Sequence, residues 1–251
     1  MNGWDLLKHA AYMLLRNLGD VLRIFLVPTL VAVAGIYCLA QVLGVYDVFV
    51  DATAGRPPRN PGSFIGSALL IIVFFFLVYT WPIVAWHRYV LLEEPVSGFV
   101  PEIKADRIIG YIGQAFLLSL LLLLLMIPVG VVISIVLRMA GAQIVGLMPI
   151  IGPGLAILPT WVFMRLSVSL PSVALGNKMR LGDIWSATSG GAVLGLTVLV
   201  MILQAALEFS YGLLPGIAGT VWWLVGTTVF SLLQISIVTT LYGYYIEKRP
   251  I

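Results

Sequence analysis

Charge is what this sequence lacks most. Of 251 residues only 14 are Lys or Arg and 11 are Asp or Glu, against 61% hydrophobic residues. The mean hydropathy is +1.06. A water-soluble globule is excluded, because no packing of a chain this size hides so much apolar surface behind so few polar groups. Histidine is nearly missing too: with only His9 and His87, the His-Glu-x-x-His helix of zinc peptidases cannot be built. The single cysteine, Cys38, lies in an apolar run and excludes a disulfide or a cysteine metal cluster within one chain. The chain also lacks a phosphate-cradling Gly-x-x-x-x-Gly-Lys run and a Gly-x-Ser-x-Gly nucleophile elbow. Nothing in it assembles a nucleophile, a base and an oxyanion site. The expectation is a protein that is not an enzyme and needs no cofactor.

What the chain does have is long apolar segments. A helix needs roughly 20 mostly apolar residues to cross a hydrocarbon core of about 30 Å, and six segments qualify, at about 21–44, 64–86, 109–137, 154–175, 191–209 and 220–246. The expected fold is all-α, a single integral membrane domain over 1–251 whose six transmembrane helices form three hairpins. The basic residues orient it. With the N-terminus cytoplasmic, the inner gaps hold Lys8, Arg16, Arg23, Arg88, Lys104, Arg107, Lys178, Arg180, Lys248 and Arg249, and the outer gaps only Arg56, Arg59 and Arg138. This is the positive-inside pattern, and it predicts that both termini are cytoplasmic. A cleaved signal peptide is the competing reading of residues 1–44, but the apolar run is too long and has Arg23 at its edge. The net charge of +3 is spread over short membrane-flanking stretches, which argues for contacts to lipid headgroups and against nucleic acid. Trp81, Trp222, Trp223, Tyr242, Tyr244 and Tyr245 fit anchoring belts at the interfaces.

Short amphipathic helices are expected on the cytoplasmic side ahead of each hairpin. In the first, Trp4, Leu7, Ala11, Leu14, Leu15 and Leu18 share a face, while Asp5, Lys8, His9 and Arg16 lie largely elsewhere. The second begins near Asp106 and Arg107. The third spans 183–189, with Asp183 placed to cap the helix that carries Ile184 and Trp185. The outer connection at 46–62 reads as an exposed loop, on its Gly and Pro content. Residues 138–159 stay apolar yet carry Gly146, Pro149, Gly152, Pro153, Gly154 and Pro159, so either an interfacial turn or a broken entry to the fourth span is expected there. The spacings Gly62 to Gly66 and Gly191 to Gly195 offer close helix contacts.

Two groups of polar residues are the candidate sites. Counting 1.5 Å per residue from Lys178 sets Arg165 roughly 20 Å into the membrane, and similar counts set Gln204 and Gln234 near the same depth. Glu208 shares the Gln204 face one turn further out. Such a layer is either a substrate or ion site with Glu208 as counter-charge, or a buried arginine satisfied by glutamine oxygens or by snorkelling. The second group, His87, Arg88, Glu93 and Glu94, reads as a solvated cluster at the cytoplasmic end of the second span. The adjacent glutamates look like those of an intramembrane peptidase, but Gly98 stands where that motif needs an arginine.

The stretches Arg165-Leu-Ser-Val-Ser-Leu-Pro171-Ser-Val-Ala174 and Asp183-Ile-Trp185-Ser-Ala-Thr188-Ser-Gly190 resemble a group of uncharacterised six-helix inner-membrane proteins of bacteria. Ala85-Trp-His-Arg-Tyr89 and Thr240-Leu-Tyr-Gly-Tyr-Tyr245 resemble the same group. That group is similar to the membrane-anchor portion of some glycerophosphodiester phosphodiesterases, whose soluble catalytic domain has no counterpart here. The resemblance implies a fold and a bacterial inner-membrane location, and no reaction. The functional expectation is an accessory or scaffolding subunit whose partners are lipids and another membrane complex. The alternative is a small transporter or lipid-handling protein working through Arg165, which three hairpins suit less well than an inverted pair of halves would.

Overall fold

The computed structural model describes residues 2–48, 61–96, 98–140 and 148–250. Among them there is no strand. Hydrocarbon offers no hydrogen-bond partner, so each spanning segment must satisfy its own backbone, and the helix does this locally. The chain runs α1 (Gly3–Arg16), α2 (Leu18–Val42), α3 (Pro61–Leu92), α4 (Ala105–Ala140), α5 (Met148–Leu166), α6 (Ser169–Leu175), α7 (Leu181–Ala187), α8 (Gly191–Tyr211) and α9 (Gly216–Tyr245). Six apolar stretches are long enough to cross a membrane: Leu18–Val42, Phe64–Leu92, Ala105–Met139, Gly154–Leu175, Gly191–Tyr211 and Gly216–Tyr245. The protein is an all-α, multi-pass membrane protein, with spans close to those expected from hydropathy.

The chain divides into two compact units, Leu18–Ile112 and Met1–Asn17 with Gly113–Ile251. In the first, α2 and α3 pack as an antiparallel hairpin. Ser67 Oγ donates to the Leu43 carbonyl at 3.4 Å near one end, and Tyr89 Oη donates to Asp20 Oδ2 at 2.8 Å near the other. Between these ends Phe74 lays its ring against Gly35, where a Cβ would overlap the ring carbons. At about 48 Å, α3 is longer than the roughly 30 Å of hydrocarbon that a spanning helix must cross.

In the second unit α8 and α9 form a hairpin closed by Tyr211, which packs into the notch at Gly226 and lies 3.3 Å from Thr227 Oγ1. Helix α1 packs on both. Its N-terminus is closed by a capping box, in which Asp5 N donates to Asn2 Oδ1 at 3.0 Å and Asn2 N to Asp5 Oδ2 at 3.2 Å. Leu6, Leu7, Ala10 and Leu14 are buried, whereas Trp4, Tyr12, Leu15 and Leu18 are exposed. The expected single apolar face is therefore split, one part against protein and one part outward. Helix α5 packs on α8, α7 on α5, and α6 on α9. No residue in the most apolar window of α4 is fully buried.

Several local expectations are corrected. No separate helix precedes the third span, because α4 runs unbroken from Ala105. Asp183 does not cap α7: Arg180 is the N-cap residue, no side-chain cap bond forms, and Asp183 sits in the first turn, where it favours the helix only through its dipole. Most of the expected loop at 46–62 lies outside the described residues, as does 141–147. Of the two alternatives for 138–159, a turn would fall on 141–147, outside the described residues, and a broken entry is not seen from Met148 onward, where the helix is continuous, with Pro149 in the first turn, where a missing N–H costs nothing. The interruption falls later, at Ser167–Val168 between α5 and α6. Gly195 is the close-contact glycine of its pair, since a Cβ there would touch Gly3, while Gly66 and Gly191 face open space.

Candidate functional site

Arg165 is 6% exposed and enclosed by aromatic rings. Trp161, one turn earlier on α5, puts its ring centroid 5.1 Å from the guanidinium carbon, and Trp185 on α7 lies at 3.5 Å. The two indoles meet edge to face at 5.5 Å. In the guanidinium plane Nε donates to Thr188 Oγ1 at 3.2 Å and Nη2 donates to the Trp185 carbonyl. Thr188 Oγ1 in turn donates to the Ile184 carbonyl at 2.8 Å, which fixes the hydroxyl. Among the described residues no carboxylate pairs with Arg165. Its charge is held by π faces and neutral acceptors, together worth several kcal/mol in a dry setting, enough to offset the roughly 2.5–3.5 kcal/mol cost of placing an arginine in a span. The arrangement cross-links α5 to α7 and leaves little of the guanidinium for a ligand.

The structure does not bring the rest of the expected layer to Arg165. Gln204 Nε2 donates to Glu208 Oε1 at 3.0 Å, one turn along α8, and both side chains are exposed on that helix. Gln234, on α9, is half-buried. The expected layer rested on depth along the helices, and depth does not decide which faces meet: Arg165 is met by α7, which returns to it after α6 ends at Gly176 in a left-handed φ of 96°.

Of the second expected cluster, read as solvated, Glu93 is exposed and Glu94 partly so, while His87 is withdrawn from solvent. His87 is fully buried, its Nε2 lies 3.3 Å from Tyr111 Oη, and the two rings stack with centroids 5.7 Å apart. Arg88 grips Glu94 bidentately, Nε donating to Oε2 at 2.8 Å and Nη2 to Oε1. That pair holds the Glu94 carboxyl below the usual carboxylate range, against the opposing effect of partial burial. Glu93 adopts a left-handed φ of 55° and points to solvent, where it lets the chain reverse at the end of α3.

The reversed segment folds back along α3. Trp81 Nε1 donates to the Pro101 carbonyl at 3.1 Å, although Trp81 lies eleven residues, about 16 Å, before Leu92 along the helix. Between this segment, α3 and the start of α4 lies a cavity of about 370 Å³. Trp81, Val84, Val100 and Ile108 line one part, and Arg88, Glu94, Glu102 and Lys104 another. Lys104 Nζ is 3.0 Å from Glu102 Oε2. The sequence showed Arg88 and Glu94 but not Glu102, Lys104, Trp81 or Tyr111 as their company. The spacings of four from Trp161 to Arg165 and from Gln204 to Glu208 were readable as contacts; those of Arg165 with Trp185 and Thr188, His87 with Tyr111 and Trp81 with Pro101 join residues twenty or more apart in the chain. Comparison with protein-family models, characterised proteins and solved structures found no match to this chain.

Proposed function

We propose that the chain is a non-enzymatic accessory subunit of a larger assembly in a bacterial inner membrane. The observation that carries this reading is the Gln204–Glu208 pair, which faces outward from α8 amid exposed Ile202, Leu203 and Phe209. Gln204 lies seven residues, about 10 Å, before the end of its helix. Glu208 lies one turn nearer that end; an amide presented to lipid at the depth of Gln204 is costly, and such polar groups are characteristic of helix surfaces that another transmembrane helix covers. The occupant proposed is a helix of a different membrane protein carrying a Lys or Arg opposite Glu208. A transporter working through Arg165 has less support, because that guanidinium is already packed against two adjacent indoles and bonded through Nε and Nη2.

The test is purification from the native membrane in mild detergent, wild type beside a Gln204→Leu/Glu208→Leu double variant. Both residues are exposed, so the fold should survive the change. A stoichiometric membrane protein that co-elutes with the wild type and is lost from the double variant supports the proposal. A chain that emerges alone, or a partner indifferent to the double substitution, sinks it.

A further inference from the structure

The cavity under the 93–104 segment is placed and lined for an amphiphile. Roughly 20 residues of α3 from Phe64, to about Val84, fill the hydrocarbon thickness. Trp81 and Val84 thus lie at the edge of the hydrocarbon, while Arg88, Glu94, Glu102 and Lys104 lie at headgroup level. Its polar end carries two cations and two anions, so its field is that of a zwitterion's complement and not that of a basic patch. The Arg88–Glu94 pair is bidentate, with the Arg88 side chain 11% exposed, and it makes a fixed floor. The Lys104–Glu102 pair is looser: Glu102 is 76% exposed, and such a pair opens at little cost. Phe99, Val100 and Ile103 on the same segment are exposed apolar side chains, which seat the segment against the acyl region.

We infer that this cavity binds a phosphate–amine zwitterion of the phosphoethanolamine type, presented as a phospholipid headgroup. Lys104 meets the phosphate, Glu102 the ammonium, and the wall formed by Trp81 and Val84 takes the start of the acyl chains. The site is independent of the outward face of α8 and stands or falls separately from the accessory role.

Native mass spectrometry of the purified full chain tests this, with phosphatidylethanolamine and phosphatidylglycerol added in turn and O-phosphoethanolamine as the soluble probe. One phosphatidylethanolamine per chain is expected, bound at least tenfold more tightly than phosphatidylglycerol. Lys104→Glu should weaken it at least tenfold, and the swap Glu102→Lys/Lys104→Glu should restore most of the loss. Ala85→Phe, which fills the cavity and leaves every charge in place, should also displace the lipid, and thermal unfolding of each variant separates lost binding from lost folding. Binding of O-phosphoethanolamine alone would support the zwitterion chemistry and assign it to a soluble source. Equal binding of the two lipids, or lipid retained by folded Lys104→Glu and Ala85→Phe variants, would overturn the inference.

Discussion

Arg165 illustrates how much a single side chain depends on partners that come from elsewhere in the chain. Its guanidinium stacks on Trp185 and donates to Thr188 and to the Trp185 carbonyl in the same pose, which only a planar, multiply donating group can do. Lysine keeps the charge but cannot stack and donate at once. Arg165→Lys should therefore cost about 1–3 kcal/mol of stability, whereas Arg165→Met, which removes the charge and leaves an adaptable apolar chain against the indoles, should cost less. Thermal unfolding in detergent ranks the two, and a Lys variant as stable as wild type would refute the stacked cross-link. The presence of a charged residue in the fourth span was evident from its position alone. Its partners were not, because Trp185 and Thr188 belong to a separate helix that reaches it only after α6 has ended at Gly176, and no spacing within the fourth span announces that contact.

At the scale of elements, α1 shows an amphipathic helix used in two directions. A helix lying on lipid needs one apolar stripe, yet α1 buries Leu6, Leu7, Ala10 and Leu14 and exposes Trp4, Tyr12 and Leu15. The contact is made close by Gly3: a Cβ at this position would lie 2.8 Å from the Ala192 carbonyl oxygen and also overlap the backbone of Gly195 and Leu196. Backbone cannot rotate away as a side chain does, so Gly3→Val should displace α1 at a cost of about 1–3 kcal/mol. Gly19→Ala is the matched control, since its Cβ would meet nothing within 4 Å, and it should be neutral or slightly stabilising. Size-exclusion thermostability assays on the two variants provide the comparison. Equal midpoints would mean that α1 is not docked through Gly3. The existence of α1 was legible from its 3.6-residue period. Which apolar residues it buries was not, because Leu7 and Leu15 are alike in the pattern and only the neighbouring helices distinguish them.

For the whole molecule the decisive claim is orientation. The basic residues predict cytoplasmic termini and an outer 46–62 connection. In a Cys38→Ser background, a membrane-impermeant maleimide should label Thr53→Cys in intact cells. Lys178→Cys, at an exposed position, should be labelled only after the membrane is opened. The opposite result would invert the topology. The all-α, multi-pass character and the approximate limits of the six spans follow from composition and length, because a bilayer constrains any apolar run of about 20 residues in the same way whatever its neighbours. Tertiary structure decided which polar groups meet: Arg165 with two indoles in place of glutamines, His87 with Tyr111 out of water, and the 93–104 segment folded back to Trp81. These are contacts between segments, and they depend on where helices break and how far they extend beyond the hydrocarbon, quantities that hydropathy averages over a span and so cannot carry.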